Sequence, residues 1–273
     1  MKDVCVITGG GSGMGLAAAK FMDKEKIIVL SGRTKSKLDA AVESLVREGF
    51  EAYAYACDTS VKSDVHKLAR FAASKGNVRN VINAAGLSPN MAKPEQLIRV
   101  NALGTVYVNQ EFRKVMTKGS VIVDISSNSA YALPSIMINK RTYRLAETDE
   151  DQFLKKLLKL SSLPKGEYEK SGLAYALSKN FVIWYAKRCA FLYGEKGIRV
   201  CSLSPGLVST GMGDLEKEEG GKLIKYTAEH RMGTPDELGY AIATAADERN
   251  GYMTGVDILV DGGSTNGKEY MKR

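Results

Sequence analysis

Two residues four positions apart, Tyr175 and Lys179 in the run YALSK, carry the clearest chemistry in the chain. At that spacing a phenol and an ammonium share one helix face. A phenol buried beside a cation can give or take a proton close to neutral pH. Far upstream, an apolar strand over residues 4–8 runs directly into TGGGSGMG, which holds Thr8, Gly9, Gly11, Ser12, Gly13, Met14 and Gly15. Glycine permits unusual backbone angles there and lets the chain approach a phosphate closely. The helix that starts near Met14 directs its free amides and positive dipole end at a pyrophosphate. A dinucleotide cradle with a proton donor beside it suits interconversion of an alcohol and a ketone by hydride transfer.

The end of the second strand selects the dinucleotide. A site for NAD commonly has a carboxylate there to hold the ribose hydroxyls. This chain reads LSGRTKSK instead. Gly32 presents no carboxylate, and the guanidinium fork of Arg33 can grip a 2'-phosphate. Ser31, Thr34 and Lys35 stand ready to assist, so the expected cofactor is NADP(H). Asp58, followed by Thr59 just after the third strand, either accepts a hydrogen bond from the adenine amino group or caps the next helix.

The elements that must position these groups alternate regularly. Apolar runs predict strands over 4–8, 26–32, 51–56, 78–83, 120–125, 199–205 and 256–260. Helical patterns fall over 14–24, 35–48, 61–74, 97–116, 173–192 and 235–247. In the second of these, Leu38, Val42, Leu45 and Val46 form the expected apolar stripe. Alternating strands and helices imply a parallel sheet covered on both faces, in the doubly wound Rossmann arrangement of an α/β protein. No linker-like stretch divides the 273 residues, so a single catalytic domain over 1–273 is expected.

Composition narrows the class. Hydrophobic residues make up 44% and charged residues 26%, as in an ordinary soluble globular protein. The formal charge of +8 is spread along the chain, with no basic stripe interleaved with aromatics. That argues against nucleic acid and fits an anionic cofactor. Four cysteines without metal spacing imply a reduced, cytoplasmic setting and no metal. The N-terminus enters a strand at once and leaves no room for a signal peptide, and no apolar run is long enough to span a membrane. His66 and His230 are expected to be surface or packing residues.

These motifs, in this order, resemble the short-chain dehydrogenase/reductase family over residues 4–264. NAAG, which is Asn83, Ala84, Ala85 and Gly86, resembles the family's segment that steadies the central strands and borders the cofactor. Asn101 in VNALGT, Ser127 after the fifth strand, Tyr175 and Lys179 match its catalytic set, with Ser126 adjacent to the serine. SPGLVSTGM resembles the segment that holds the nicotinamide. The resemblance gives Pro205 and Gly206 the turn, and Val208 and Thr210 the carboxamide. It further implies that Tyr175 protonates the carbonyl oxygen, Ser127 polarises it, Lys179 holds the ribose and eases formation of tyrosinate, and Asn101 supports a water that relays protons. A homodimer or homotetramer is implied, using the long helices that begin near Leu97 and Leu173.

One segment departs from the family pattern. Residues 133–172 form an excursion between Ser127 and Tyr175, with a helix expected over 149–160 and Phe153, Leu154, Leu157, Leu158 and Leu160 largely on one side. It is either a surface excursion packed on its own domain, or a wall over the substrate or a subunit contact. Residues 211–232, rich in Glu, Lys and Gly, are expected to form a substrate flap. Leu133, Ile136, Met137, Leu207, Met212 and Leu215 are candidate pocket residues for a bulky, apolar alcohol or ketone. GLAYALSKN resembles the tyrosine segment of bacterial hydroxysteroid dehydrogenases that also reduce other carbonyls, so a steroid or bile acid leads. A broad carbonyl reductase or 3-ketoacyl thioester reductase follows. A non-catalytic nucleotide sensor and an epimerase or dehydratase are the remaining classes.

Overall fold

Apolar runs at the predicted places become seven parallel strands: β1 (Asp3–Thr8), β2 (Ile27–Gly32), β3 (Glu51–Ala56), β4 (Asn77–Asn83), β5 (Val121–Ile125), β6 (Arg199–Pro205) and β7 (Asp257–Val260). The computed structural model describes residues 1–209 and 224–270, without the side chains of residues 268 and 269. The sheet order is β3-β2-β1-β4-β5-β6-β7. Chain direction across the sheet reverses between β1 and β4, and the carboxyl ends there open the crevice where such sheets take ligands.

Helices cover both faces. On one face, α3 (Lys62–Lys75), α5 (Gly104–Val115) and α8 (Glu167–Gly194) bury Leu68, Val106 and Phe181 against Val6 and Val29 of the sheet. On the other, α1 (Gly13–Lys20), α2 (Lys35–Arg47) and α9 (Pro235–Ala245) bury Ala18, Leu38 and Ile242 against Ile7 and Leu30. Helix α9 crosses α1 at Gly239, where a Cβ would lie 2.7 Å from the Ala17 carbonyl carbon. The short α10 (Ser264–Tyr270) follows β7. No helix among the described residues is long and apolar enough to cross a membrane.

Several elements differ from their predicted bounds, each for a local reason. Helix α1 stops at Lys20, because 21–26 turn tightly back to β2 with Lys26 N donating to the Asp23 carbonyl. In α2 it is Ala41 that joins Leu38 and Leu45 in the core, while Val46 is 52% exposed. The helix expected over 97–116 is three pieces: α4 (Pro94–Ile98), a π-helical turn over Arg99–Leu103, and α5. Helix α8 begins at Glu167, not Leu173, so the last residues of the excursion belong to it. Gly172 reads as a boundary but lies inside the helix, where a Cβ would touch nothing.

The excursion holds α6 (Lys140–Arg144) and α7 (Glu150–Ser161). Asp149 caps α7 by accepting from Gln152 N at 3.0 Å. The predicted apolar side of α7 exists, but Phe153, Leu154 and Leu157 are spent on the domain's own core. Phe153 packs on Phe181 of α8 with ring centroids 5.0 Å apart. Polar clips hold the rest: Arg188 to Glu147 at 2.7 Å, Tyr143 Oη to Asn180 at 3.0 Å, and Tyr107 to Glu150. The apolar side of this helix therefore gives no support to a substrate wall.

Candidate active site

The glycine turn is compressed to the point where side chains cannot enter. Gly9 has φ +67°, and a Cβ on it would lie 2.7 Å from the Ala84 carbonyl oxygen; one on Gly15 would lie 2.7 Å from the Gly9 oxygen. Ser12 precedes α1 without a side-chain cap, and the first turn, with Gly13, Met14 and Gly15, carries no acidic residue. The helix start is thus left with free amides and no competing anion, as a phosphate requires. A cleft runs beside it, lined in part by Gly9, Gly11, Ser12, Arg33, Thr34 and Lys37 on one side and by Asp58, Thr59, Ala85 and Gly86 on the other.

At the end of β2 the helpers sort themselves. Lys35 turns away to pair with Asp39 at 2.7 Å, and Ser31 is buried in the sheet. Arg33, Thr34 and Lys37 face the cleft, and no ion pair among the described residues claims Arg33 or Lys37. Lys37, four residues after Arg33 in the first turn of α2, was not singled out from the sequence; that spacing is the signal that could have found it. Asp58 does not cap α3, whose preceding residue is Val61 without a side-chain cap. Its Oδ1 instead accepts from Ser60 N and Oγ, at 2.9 and 2.7 Å.

Thr8 and Asn83 turn inward. Thr8 Oγ1 accepts from Ala85 N at 3.1 Å and donates to Asn83 Oδ1 at 2.9 Å, which ties β1 to the Ala84–Gly86 turn. Asn83 Nδ2 donates to Asp124 of β5 at 2.9 Å. After β6, Gly206 packs so closely that a Cβ would meet Asp261 Cα at 2.7 Å. The bridge to Gly233 uses the Leu207 carbonyl and the Ser209 amide, and leaves the amide and carbonyl of Val208 out of it. Thr210, Met212 and Leu215, and 211–223 of the expected flap, lie outside the described residues.

The chemical groups meet at the carboxyl ends of β4 and β5. Tyr175 and Lys179 lie one turn apart on α8, with Lys179 Nζ 5.8 Å from the Tyr175 ring centroid. Lys179 is buried and donates to the Ile125 carbonyl at 2.9 Å. Burial pulls its ammonium down to about 8, and the nearby Asp124 charge opposes that fall. Gly86 makes room for the group: a Cβ there would lie 3.3 Å from both Lys179 Nζ and Asn101 Oδ1. The π turn brings Asn101 inward, where its side chain bonds Leu87 N and O at 2.9 and 3.0 Å and reaches Ser178 Oγ at 3.3 Å. Such single π turns inside helices occur often at functional sites.

The two adjacent serines differ in their partners. Ser126 Oγ is spent on the Lys179 carbonyl at 2.7 Å and anchors α8. Among the described residues Ser127 Oγ accepts only from nearby Ser129, N at 3.2 Å and Oγ at 3.1 Å, and retains its own proton to donate. Reasoning from sequence missed Ser178, Leu87, Ser129 and Asp124. Only Asp124 had a readable signal, a charge in the otherwise apolar run VIVDI. His66 pairs with Glu111 at 3.0 Å on the outer helices, away from this site. Among the described residues no group of His, Cys, Asp or Glu is placed to hold a metal ion.

A doubly wound parallel sheet with a glycine turn at its switch point is the architecture of dinucleotide-binding proteins. The family described as short chain dehydrogenase matches residues 3–138, and that described as enoyl-(acyl carrier protein) reductase matches 147–265. The chain belongs to the short-chain dehydrogenase/reductase family, a family of oxidoreductases. It is 29% identical over 269 residues to a short-chain dehydrogenase/reductase of Alternaria brassicicola, covering 96% of each chain. It is 26% identical to 3beta-hydroxysteroid dehydrogenase 2 of Eggerthella lenta, covering 94% of this chain and 93% of the relative. A short-chain dehydrogenase from Burkholderia cenocepacia in complex with NADP shares the fold, with TM-score 0.75, 19% identity and coverage of 95% and 96%.

Proposed function

We propose that the protein is an NADP(H)-dependent oxidoreductase that interconverts a secondary alcohol and a ketone. The observation that carries this reading is the meeting of Tyr175, Lys179 and Asn101 at Gly86, beside a cleft built from the glycine turn, with Ser127 next to the Ser126 that anchors the Lys179 carbonyl. The cleft fits the cofactor on its own terms. The compressed turn and uncapped α1 suit the pyrophosphate, and the uncommitted cations Arg33 and Lys37 suit a 2'-phosphate. Asp58 and Thr59 would hold the adenosine end, Ala84, Ala85 and Gly86 the middle, and Pro205, Gly206 and Val208 the nicotinamide end.

When bound, the nicotinamide exchanges hydride with the carbon of the carbonyl or carbinol. In reduction, Tyr175 Oη gives its proton to the carbonyl oxygen, and Ser127 Oγ donates a hydrogen bond to the same oxygen as negative charge develops there. Lys179, charged below about 8, lowers the cost of the tyrosinate that results. Asn101 braces the loop at Leu87 against α8, and the acceptor capacity left on its oxygens can hold a water that returns a proton toward Lys179. In oxidation the same Tyr175 is the base.

The substrate is a bulky, apolar alcohol or ketone, with a hydroxysteroid or bile acid first. The hydroxysteroid dehydrogenase among the relatives supports this, as does the apolar, 91% exposed Ile136 in the chain that follows Ser127. With α7 spent on the core, the wall is assigned to 133–138 instead. Assembly as a homodimer or homotetramer is supported by Phe191, 85% exposed on α8. The deciding experiment measures NADPH and NADH oxidation with a panel of ketosteroids, small ketones and ketoacyl thioesters, for the wild type and Tyr175→Phe. NADPH-dependent turnover, lost in the variant while cofactor binding stays, is expected. Near-normal turnover by Tyr175→Phe, or a clear preference for NADH, would overturn the assignment concerned.

A further inference from the structure

Asp124 is a carboxylate with no access to solvent, one residue from the end of β5. Ile122, Asp124 and Ser126 share the sheet face covered by α5 and α8: Ile122 lies in that core, Asn109 of α5 bonds Asp124, and Ser126 bonds the Lys179 carbonyl. Asn109 Nδ2 donates to both carboxylate oxygens at 2.9 Å, and Asn83 Nδ2 donates to one at 2.9 Å. These amides orient the carboxylate and satisfy its lone pairs, but they carry no charge. A buried anion held by neutral donors alone is costly, and a cation within reach is what offsets it. The next residue along the strand, Ile125, supplies the carbonyl that holds Lys179 Nζ.

We propose that Asp124 is a positioning residue that keeps Lys179 protonated, acting from β5 beneath the catalytic helix. Only its kinetic consequence rests on the oxidoreductase reading; the coupling of the two buried charges, joined through the Ile125 carbonyl next along β5 rather than by a direct ion pair, does not. Burial lifts Asp124 to about 6 and pulls Lys179 down to about 8, and each charge resists the other's shift. Between those values both groups are ionised. Among the described residues no other charge near the two groups does this work. On α8, Tyr175 is the proton donor itself, and Cys189 is a thiol pushed up to about 12. On β6, Cys201 is likewise pushed up to about 12, so both thiols are neutral. Helix α5 and strand β4 contribute Asn109, Thr105 and Asn83.

The network also reaches the rest of the site. Thr105 Oγ1 accepts from Asn83 at 3.2 Å and donates to the Asn101 carbonyl at 2.8 Å, and Thr8 bonds Asn83 from β1. One buried carboxylate thus stands at the junction of the glycine-turn strand, the Asn101 turn and Lys179.

The test is a titration of the ligand-free chain labelled with ε-13C lysine, the Lys179 signal being assigned with Lys179→Arg. In Asp124→Asn the Lys179 midpoint should fall by about one pH unit, a roughly tenfold loss of proton affinity. An unmoved midpoint in the folded variant overturns the proposal. Asp124→Ser serves if Asp124→Asn does not fold; it removes the same charge with a smaller side chain, and the midpoint should again fall by about one unit. Lower stability with an unchanged midpoint would leave Asp124 a purely structural role and defeat the idea. In kinetics, the alkaline limb of NADPH-dependent ketone reduction should move with the midpoint, and a fixed limb breaks the link to turnover. A wild type that shows the charge coupling but reduces no carbonyl would count against the oxidoreductase reading and leave the coupling intact.

Discussion

Gly86→Ala isolates how closely the catalytic groups are set. The glycine is not among those with positive φ, so its backbone accepts alanine without strain. The added Cβ, however, would stand 3.3 Å from both Asn101 Oδ1 and Lys179 Nζ. Ordinary contacts begin near ~3.5 Å, so the two side chains must recede by a few tenths of an ångström. Neither recedes freely: Asn101 is held on both sides by Leu87, and Lys179 by the Ile125 carbonyl at 2.9 Å. A displacement of 1 Å costs about 100-fold in rate, so a few tenths cost about three- to tenfold. That corresponds to ~0.7–1.4 kcal/mol of barrier. Stability moves little, since alanine gains about 0.4–1 kcal/mol from the unfolded chain and loses a similar amount to crowding. The assay is kcat for NADPH oxidation at saturating ketone, beside a thermal melt. A folded variant with wild-type kcat would refute the geometry, as would a loss of rate that merely tracks a loss of folded protein.

Other perturbations give distinct outcomes. Arg33→Ala and Lys37→Ala should each raise the Kd for NADPH about tenfold while leaving NADH within about twofold, as expected for charge-assisted contacts to a phosphate; equal losses for both cofactors in a binding titration would refute a 2'-phosphate site. Phe153→Ala should cost about 3–5 kcal/mol in urea unfolding, because the ring is fully buried against α8. A loss under about 1 kcal/mol would restore α7 as a loosely attached lid. The carboxyl of Asp124 is raised from 3.8 to about 6, so the stability it contributes is full below 3.8 and is lost as pH rises through about 6. Asp124→Asn should therefore flatten the urea midpoint against pH across that window, and an unchanged slope would contradict the shift.

Much of the site was legible because its signals are local. Tyr175 and Lys179 meet through helix periodicity alone, and the strand, glycine turn and helix of the cofactor cradle follow one another without a gap. What was not legible depended on competition and on distant partners. Lys35 and Lys37 look equivalent in sequence; Asp39 captures one and leaves the other facing the cleft. Periodicity announced that α7 buries one side, but it carries no information about which surface receives it, and the core received it. The π turn at Asn101 lies within a run that reads as continuous helix, and its inward turn is stabilised by contacts with Leu87 and Ser178, one on a loop and one on α8.

That turn also sets how the gene can vary. A π turn is one residue more than the regular spiral accommodates. Dropping one codon across Arg99–Leu103 would let the spiral close up into a regular helix. The wide turn spends its five residues on about the arc that one fewer residue of a regular helix covers at about 100° each, so the flanking segments stay in phase. Leu97 and Ile98 before the turn and Val106 and Phe112 after it, all now in the core, would still face inward together. What the deletion removes is the bulge that carries Asn101 inward to Leu87 and Ser178. Substitutions there act by degrees, each on the contacts of one side chain. A library of in-frame deletions would therefore part folding from turnover at this segment, with folded protein kept and activity lost.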